Sequence, residues 1–245
     1  MIVYKEILVV LLLAHTLADF YFQTEAMAKK KEKDFLYVII HSVVYGLVCS
    51  FYIKLIFPNF DDLCLWVLVV SHFAIDVLKY YISSKNFIKK YGKYIFFVDQ
   101  VIHLTILAFV SYLEIQSGKI CDYNTMIINI LNIIEIPIQT LNTLLLQLLL
   151  IHKPINIFIV KMMESYKPDE KKEEGTMKVG RLIGTIERVI ILFFLLIQQY
   201  SSIGLVLTAK SIARYNKISE NQEFAEYYLL GTLLSTICVI IVSLL

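Results

Sequence analysis

The sequence predicts an all-α, polytopic membrane protein of about seven to eight spanning helices arranged in two lobes, and three observations predict it. Hydrophobic residues make up 58% of the 245-residue chain and the mean hydropathy is +0.69, more apolar than a soluble domain of this size requires. Apolar stretches of about 20 residues, the length that crosses a hydrocarbon core about 30 Å thick, recur along it. Gly and Pro number only 8 and 4, so these stretches can run as uninterrupted helices.

The first four stretches lie near 3–23, 36–57, 62–82 and 94–115. The first is expected to be a mature spanning helix and not a signal peptide, because it lacks a basic leading region and a small-residue cleavage site and contains His15 and Asp19. Residues 124–163 are apolar but interrupted by Glu135, Pro137 and Pro154, which predicts a broken or interfacial segment followed by a fifth span near 140–163. Residues 164–180 include the run Lys167 to Gly175, which has nothing to fill a core and reads as a solvated linker. Further stretches follow at 182–200, at 201–214 (short enough to be re-entrant) and at 226–245. The expected organisation is a four-helix lobe over 1–118, a broken segment plus fifth span over 119–163, the charged linker over 164–180 and a second lobe over 181–245.

Charge sets the expected topology. Lys29, Lys30, Lys31 and Lys33 sit in the first loop, none in the second, Lys79, Lys85, Lys89, Lys90 and Lys93 around the third, and Lys119 alone in the fourth. The positive-inside rule then places the first and third loops in the cytoplasm and, with eight spans, both termini outside. A net charge of +2 gives no reason to expect a nucleic-acid partner. Cys49, Cys64, Cys121 and Cys238 have no ligand-like spacing and read as small buried hydrophobes.

Each of the first four stretches carries polar residues four apart: His15 with Asp19, His41 with Tyr45, His72 with Asp76, and Asp99 with His103. Spacing of four puts both members on one helix face. Ionisable groups in membrane helices are costly and point to function. Counting from the helix ends, Asp19, His41, Asp76 and Asp99 lie roughly 6–9 Å from the cytoplasmic face, and His15, Tyr45, His72 and His103 one turn deeper. Helices running in opposite directions thereby offer two matching layers to one cavity.

Four imidazoles and three carboxylates form a donor set suited to a divalent transition metal, zinc first and iron or manganese as alternatives. His15, His41, His72, His103, Asp76 and Asp99 are the expected ligands, and Asp19, Asp76 and Asp99 the expected general bases beside a metal-bound water. Gln23, which continues the Asp19 face, and Tyr45 are expected to contact substrate. In the second lobe, Arg181, Gly184, Thr185 and Arg188 share a face, and Lys210 and Arg214 repeat the basic theme. Arg181, Arg188, Lys210 and Arg214 would grip an anionic head group or polyprenyl phosphate, with Glu187, Glu223 and Glu226 as counter-charges.

The segment Leu13-Ala-His-Thr-Leu-Ala-Asp-Phe-Tyr-Phe-Gln23, the isolated His41, His72-Phe-Ala-Ile-Asp-Val-Leu-Lys79 and Asp99-Gln-Val-Ile-His103 resemble a family of bacterial polytopic membrane proteins classed as a domain of unknown function. The resemblance covers roughly residues 5–115, and Gly180 to Arg188 with Glu223 to Ser235 look like the C-terminal extension of its longer members. It implies a membrane location and no established activity. The placing of His and Asp is also similar to that of bacterial membrane-bound metal-dependent hydrolases, although no His-Arg-x-x-x-His-Ser run occurs. Together these favour a metal-dependent hydrolase of the bacterial inner membrane, acting on a lipid-linked or amphipathic phosphoester or ester near the cytoplasmic leaflet. A proton- or cation-coupled transporter using the same residues and a non-enzymatic sensor docking through the charged linker stay open. Oligomeric state is not legible.

Overall fold

A computed structural model of the protein describes residues 3–83, 88–118, 121–166 and 174–245, and among these every regular element is helical. By its internal contacts the chain forms two compact units, Met1–Leu146 and Gln147–Leu245.

The first unit begins with α1, Tyr4–Thr16, which runs into a π-helical turn, Leu17–Tyr21. The chain then bends by 85° into the short α2, Glu25–Lys31. Thr24 stops the first helix and starts the second, its Oγ1 accepting from the Met27 amide at 3.1 Å. The expected single helix over 3–23 is therefore broken at its end. π-turns insert one residue into the hydrogen-bond ladder and leave no Gly or Pro as a sign of it.

Asp34 caps α3, Phe35–Ile56, through the Leu36 amide at 2.9 Å. Then come α4, Asp62–Ser83, and α5, Ile88–Gln116, which ends at Gly118 with φ 68°. Helices α1, α3, α4 and α5 close a four-membered ring in which α1 touches α3 and α5, and α4 touches α3 and α5. Gly46 in the middle of α3 permits the α3–α4 approach, since a Cβ there would lie 3.2 Å from the Val69 side chain. The apolar core packs Ile7, Leu11, Tyr45, Ile53, Leu68 and Leu107 between the helices. Outside the ring, Leu47 and Trp66 are each 67% exposed, as lipid-facing side chains of a bundle without its bilayer would be. Asn124 caps the amphipathic α6, Thr125–Ile133, and Glu135 takes φ 56° before α7, Ile138–His152.

The second unit takes in the end of α7, then α8, Pro154–Met163, with Pro154 in the first turn where its missing N–H costs nothing. A 3₁₀ turn over Glu164–Tyr166 follows. Residues 167–173 of the expected linker lie outside the described residues. Its last part is helical, because α9 runs over Glu174–Leu196. After it come α10, Tyr200–Ile212, α11, Tyr215–Glu220, and α12, Gln222–Ser243, capped by Asn221.

Among the described residues, five segments are long and apolar enough to cross a membrane: Phe35–Ile56, Asp62–Ile82, Gly92–Gln116, Ile138–Tyr166 and Gln222–Ser243. Counting the bent Tyr4–Lys31 pair as one span makes six. The stretches expected at 182–200 and 201–214 do not qualify. The first carries Arg181, Glu187 and Arg188 in its helix, and the second is a helix of 13 residues, about 20 Å long.

Candidate metal site in the first bundle

Four helices and the π-turn aim polar side chains at the interior of the ring: His15 from α1 with Asp19 from the π-turn, His41 and Tyr45 from α3, His72 and Asp76 from α4, and Asp99 and His103 from α5. The four imidazoles, Tyr45, Asp76 and Asp99 are buried, and the Asp19 side chain keeps 10% of its exposure. In the deeper layer, His15 Nδ1 lies 3.2 Å from the Tyr45 hydroxyl and the Tyr45 ring stacks on His72 with centroids 3.5 Å apart. His72 and His103 centroids are 4.6 Å apart and those of His103 and His15 5.3 Å. In the outer layer, His41 Nε2 is 3.1 Å from Asp19 Oδ1 and 3.5 Å from Asp76 Oδ2.

Asp19, His41 and His72 place one donor atom each within 4.8 Å of one another, so this group could hold a metal ion. Donors sharing a tetrahedral zinc at about 2.0–2.1 Å stand roughly 3.3 Å apart. Asp19 Oδ1 is 3.1 Å from His41 Nε2 and 3.8 Å from His72 Nε2, close to that edge. The state of the imidazoles is the second test of fit. His103 donates from Nδ1 to the Asp99 carbonyl at 2.8 Å, which leaves Nε2 as its other ring nitrogen. That atom, His15 Nε2 and both ring nitrogens of His41 and of His72 are buried without a hydrogen-bond partner. An unsatisfied buried polar atom costs about 1–3 kcal/mol, so a metal ion or a water taken up by some of these nitrogens would offset a cost that the packing leaves.

Charge separates the three carboxylates. Lys31 donates to both Asp76 oxygens at 2.9 and 2.8 Å, and Lys79 donates to Asp99 Oδ2 at 2.7 Å, where Gln100 also donates at 3.2 Å. Asp76 and Asp99, expected as ligands, are therefore already engaged by ammonium groups. Asp19, expected only as a base, is left facing two imidazoles. Among the described residues, two of the three carboxylates meet an ammonium, and Asp19 meets imidazoles in its place.

Lys31 and Lys79 are neighbours of the cluster that were read as loop charges. Lys79 was open to discovery, since His72, Asp76 and Lys79 fall at i, i+4 and i+7 of one helix face. Lys31 reaches Asp76 only because α2 folds back after the π-turn. Tyr45 lies in the deeper layer, whereas Gln23 sits half-buried at the bend, outside the Asp19–His41–His72 group.

The basic residues expected to bind substrate all belong to the second unit. Arg188 is 3% exposed and its donors are spent within that unit: Nε on the Ile151 carbonyl at 3.3 Å, Nη1 on Ser235 at 3.3 Å, and Nη2 on Asn156 Oδ1 at 2.6 Å and Thr185 at 3.3 Å. It holds helices together and does not face a head group. Arg181 and Arg214 are exposed, and Lys210 pairs with Glu187 at 2.7 Å.

Fold and site together define a polytopic helical membrane protein with a buried His/Asp cluster inside its first bundle. Residues 7–132, just over half of the chain, match the family described as protein of unknown function, DUF3307, and the chain belongs to that family. The matched segment contains every member of the cluster. Neither the curated proteins nor the solved structures contain a match.

Proposed function

We propose that this protein is a metal-dependent hydrolase of a bacterial inner membrane that holds a divalent transition metal, zinc before iron or manganese, on Asp19, His41 and His72. The observation that carries the reading is the meeting of these three donors beside buried imidazole nitrogens that have no hydrogen-bond partner. A metal there would supply a polarised water at neutral pH and a Lewis acid for an ester or phosphoester oxygen. The chain's own groups divide the rest of the work. Asp76 stands 3.5 Å from His41 Nε2 under the Lys31 ammonium and serves as the proton acceptor. Tyr45 and His15, hydrogen-bonded to each other, fix the His72 ring from behind. The lysine-rich segment after the first helix supports a site near the cytoplasmic leaflet, which favours a lipid-linked or amphipathic substrate, with the first lobe as reaction centre and Gln23 as a substrate contact.

Elemental analysis of the full-length protein in detergent tests it. About one equivalent of metal is expected in the wild type, with loss of roughly 10–100-fold in affinity in Asp19→Asn or His41→Ala. A metal-free wild type that is still folded would sink the idea.

A second reading is favoured by the continuous run of imidazoles and its two flanking Lys–Asp pairs, an arrangement that suits a proton or cation relay. Uptake into proteoliposomes driven by a pH gradient, and abolished by Asp76→Asn with metal content intact, would select it.

A further inference from the structure

The three proposed metal donors are closed off from solvent: the His41 and His72 side chains keep 0 and 1% of their exposure and that of Asp19 10%. Neither a metal ion nor a substrate reaches them in this conformation, so part of the wall has to move. The ring helices are poor candidates. Helices α1, α3, α4 and α5 are 13, 22, 22 and 29 residues long and share one apolar core through Val10, Tyr45, Leu68 and Val110. Pulling any of them aside forfeits the packing of that core.

Helix α2 is built differently. It has seven residues, none of them buried, and non-helical chain joins it to its neighbours at both ends, residues 22–24 on one side and 32–34 on the other. Two polar contacts fasten it to the bundle. Lys30 donates to the Tyr37 hydroxyl at 2.9 Å on the exposed side and lies 4.8 Å over the same ring. Lys31 turns inward and donates to both Asp76 oxygens at 2.9 and 2.8 Å. One of those oxygens, Oδ2, is 3.5 Å from His41 Nε2, so the ammonium stands at the edge of the metal donors.

Building on the metal reading of the cluster, we propose that α2 is a lid over it and that Lys31 is the latch, an autoinhibitory contact that keeps metal and substrate out until α2 swings away about residues 22–24 and 32–34. Opening a short helix with no buried residue costs far less than opening the bundle, which is why local motions of this kind serve as gates. A charge-assisted contact suits the latch, because one pair favours the closed lid and is lost as a unit. With the lid closed, the ammonium lies against both oxygens of the carboxylate assigned as proton acceptor, and that group takes up its role once Lys31 lets go.

Two measurements on the full-length protein in detergent test the lid. The first needs no metal: lysines are acylated with a water-soluble amine reagent and read by peptide mass spectrometry, and alkylation of the buried Cys49 reports global unfolding. Lys31 is expected to react about 10-fold or more slowly than the exposed Lys29 and Lys33, and to react while Cys49 stays unmodified. In Asp76→Asn it is expected to react as fast as Lys29. Lys31 reacting as fast as Lys29 in the wild type, or only together with Cys49, overturns the lid.

The second measurement is stopped-flow zinc uptake by the metal-free protein. Lys31→Gln is expected to raise the association rate roughly 10-fold, the effect of losing one hydrogen bond between charged groups, and Lys31→Arg to hold it near the wild-type rate. Lys30→Gln, a milder change at the exposed contact, is expected to raise it roughly 2-fold. Lys29→Gln is the control and is expected to leave it unchanged. Uptake at the wild-type rate in both Lys31→Gln and Lys30→Gln overturns the lid and leaves the metal reading standing. A wild type that takes up no zinc sinks the metal reading, and the acylation rates then decide the lid.

Discussion

Lys31 and Asp76 are 45 residues apart and meet at 2.8 Å inside the bundle, with side-chain exposures of 11% and 2%. A buried pair of this kind is costly to break from one side, because the survivor keeps its charge without its partner. Asp76→Asn is expected to destabilise the protein by about 3–5 kcal/mol, and Lys31→Met on top of it to restore most of that loss. Thermal melts of the two variants in detergent decide it: equal melting points would mean that the ion pair is not the support. Lys31→Met alone releases an Asp76 oxygen beside His41, and the proposed metal then gains a fourth donor. Zinc titration should show affinity raised about tenfold, an increase of about 1.4 kcal/mol.

At the scale of elements, the bundle depends on two features of the helices themselves. One is the closeness of α3 to α4 at Gly46. Gly46→Leu forces a side chain against Val69 and should cost about 1–3 kcal/mol, read as a lower melting temperature. The other is the π-turn with its 85° bend, which turns Asp19 toward His41 and brings the Lys-rich α2 over the site. The helical pairs were legible because spacing of four is a local property that any helix converts into a shared face. The bend was not, since Leu17 to Tyr21 has the composition of the helix around it and the lysines of α2 are equally suited to a loop. In the second unit the small residues around Arg188 were legible as a face, but its partners Asn156 and Ser235 come from α8 and α12, which no local spacing connects.

For the molecule as a whole, the division into two units implies that damage in one leaves the chemistry of the other alone. Arg188→Ala strands the Asn156 and Ser235 polar groups and should lower stability by about 3 kcal/mol. Metal content per folded chain should be unchanged, and a parallel loss of metal would show that the units are coupled. The lengths and apolarity of the stretches determined the helical membrane class, because a bilayer leaves a spanning backbone few other ways to satisfy its hydrogen bonds. Residue spacing also determined which faces are polar. Only the tertiary structure decided which carboxylates meet lysines, since Asp76 and Asp99 are claimed by them through packing and Asp19 faces His41 and His72. Charge compensation in a low-dielectric interior acts over a few ångströms of space, and distance along the chain says nothing about it.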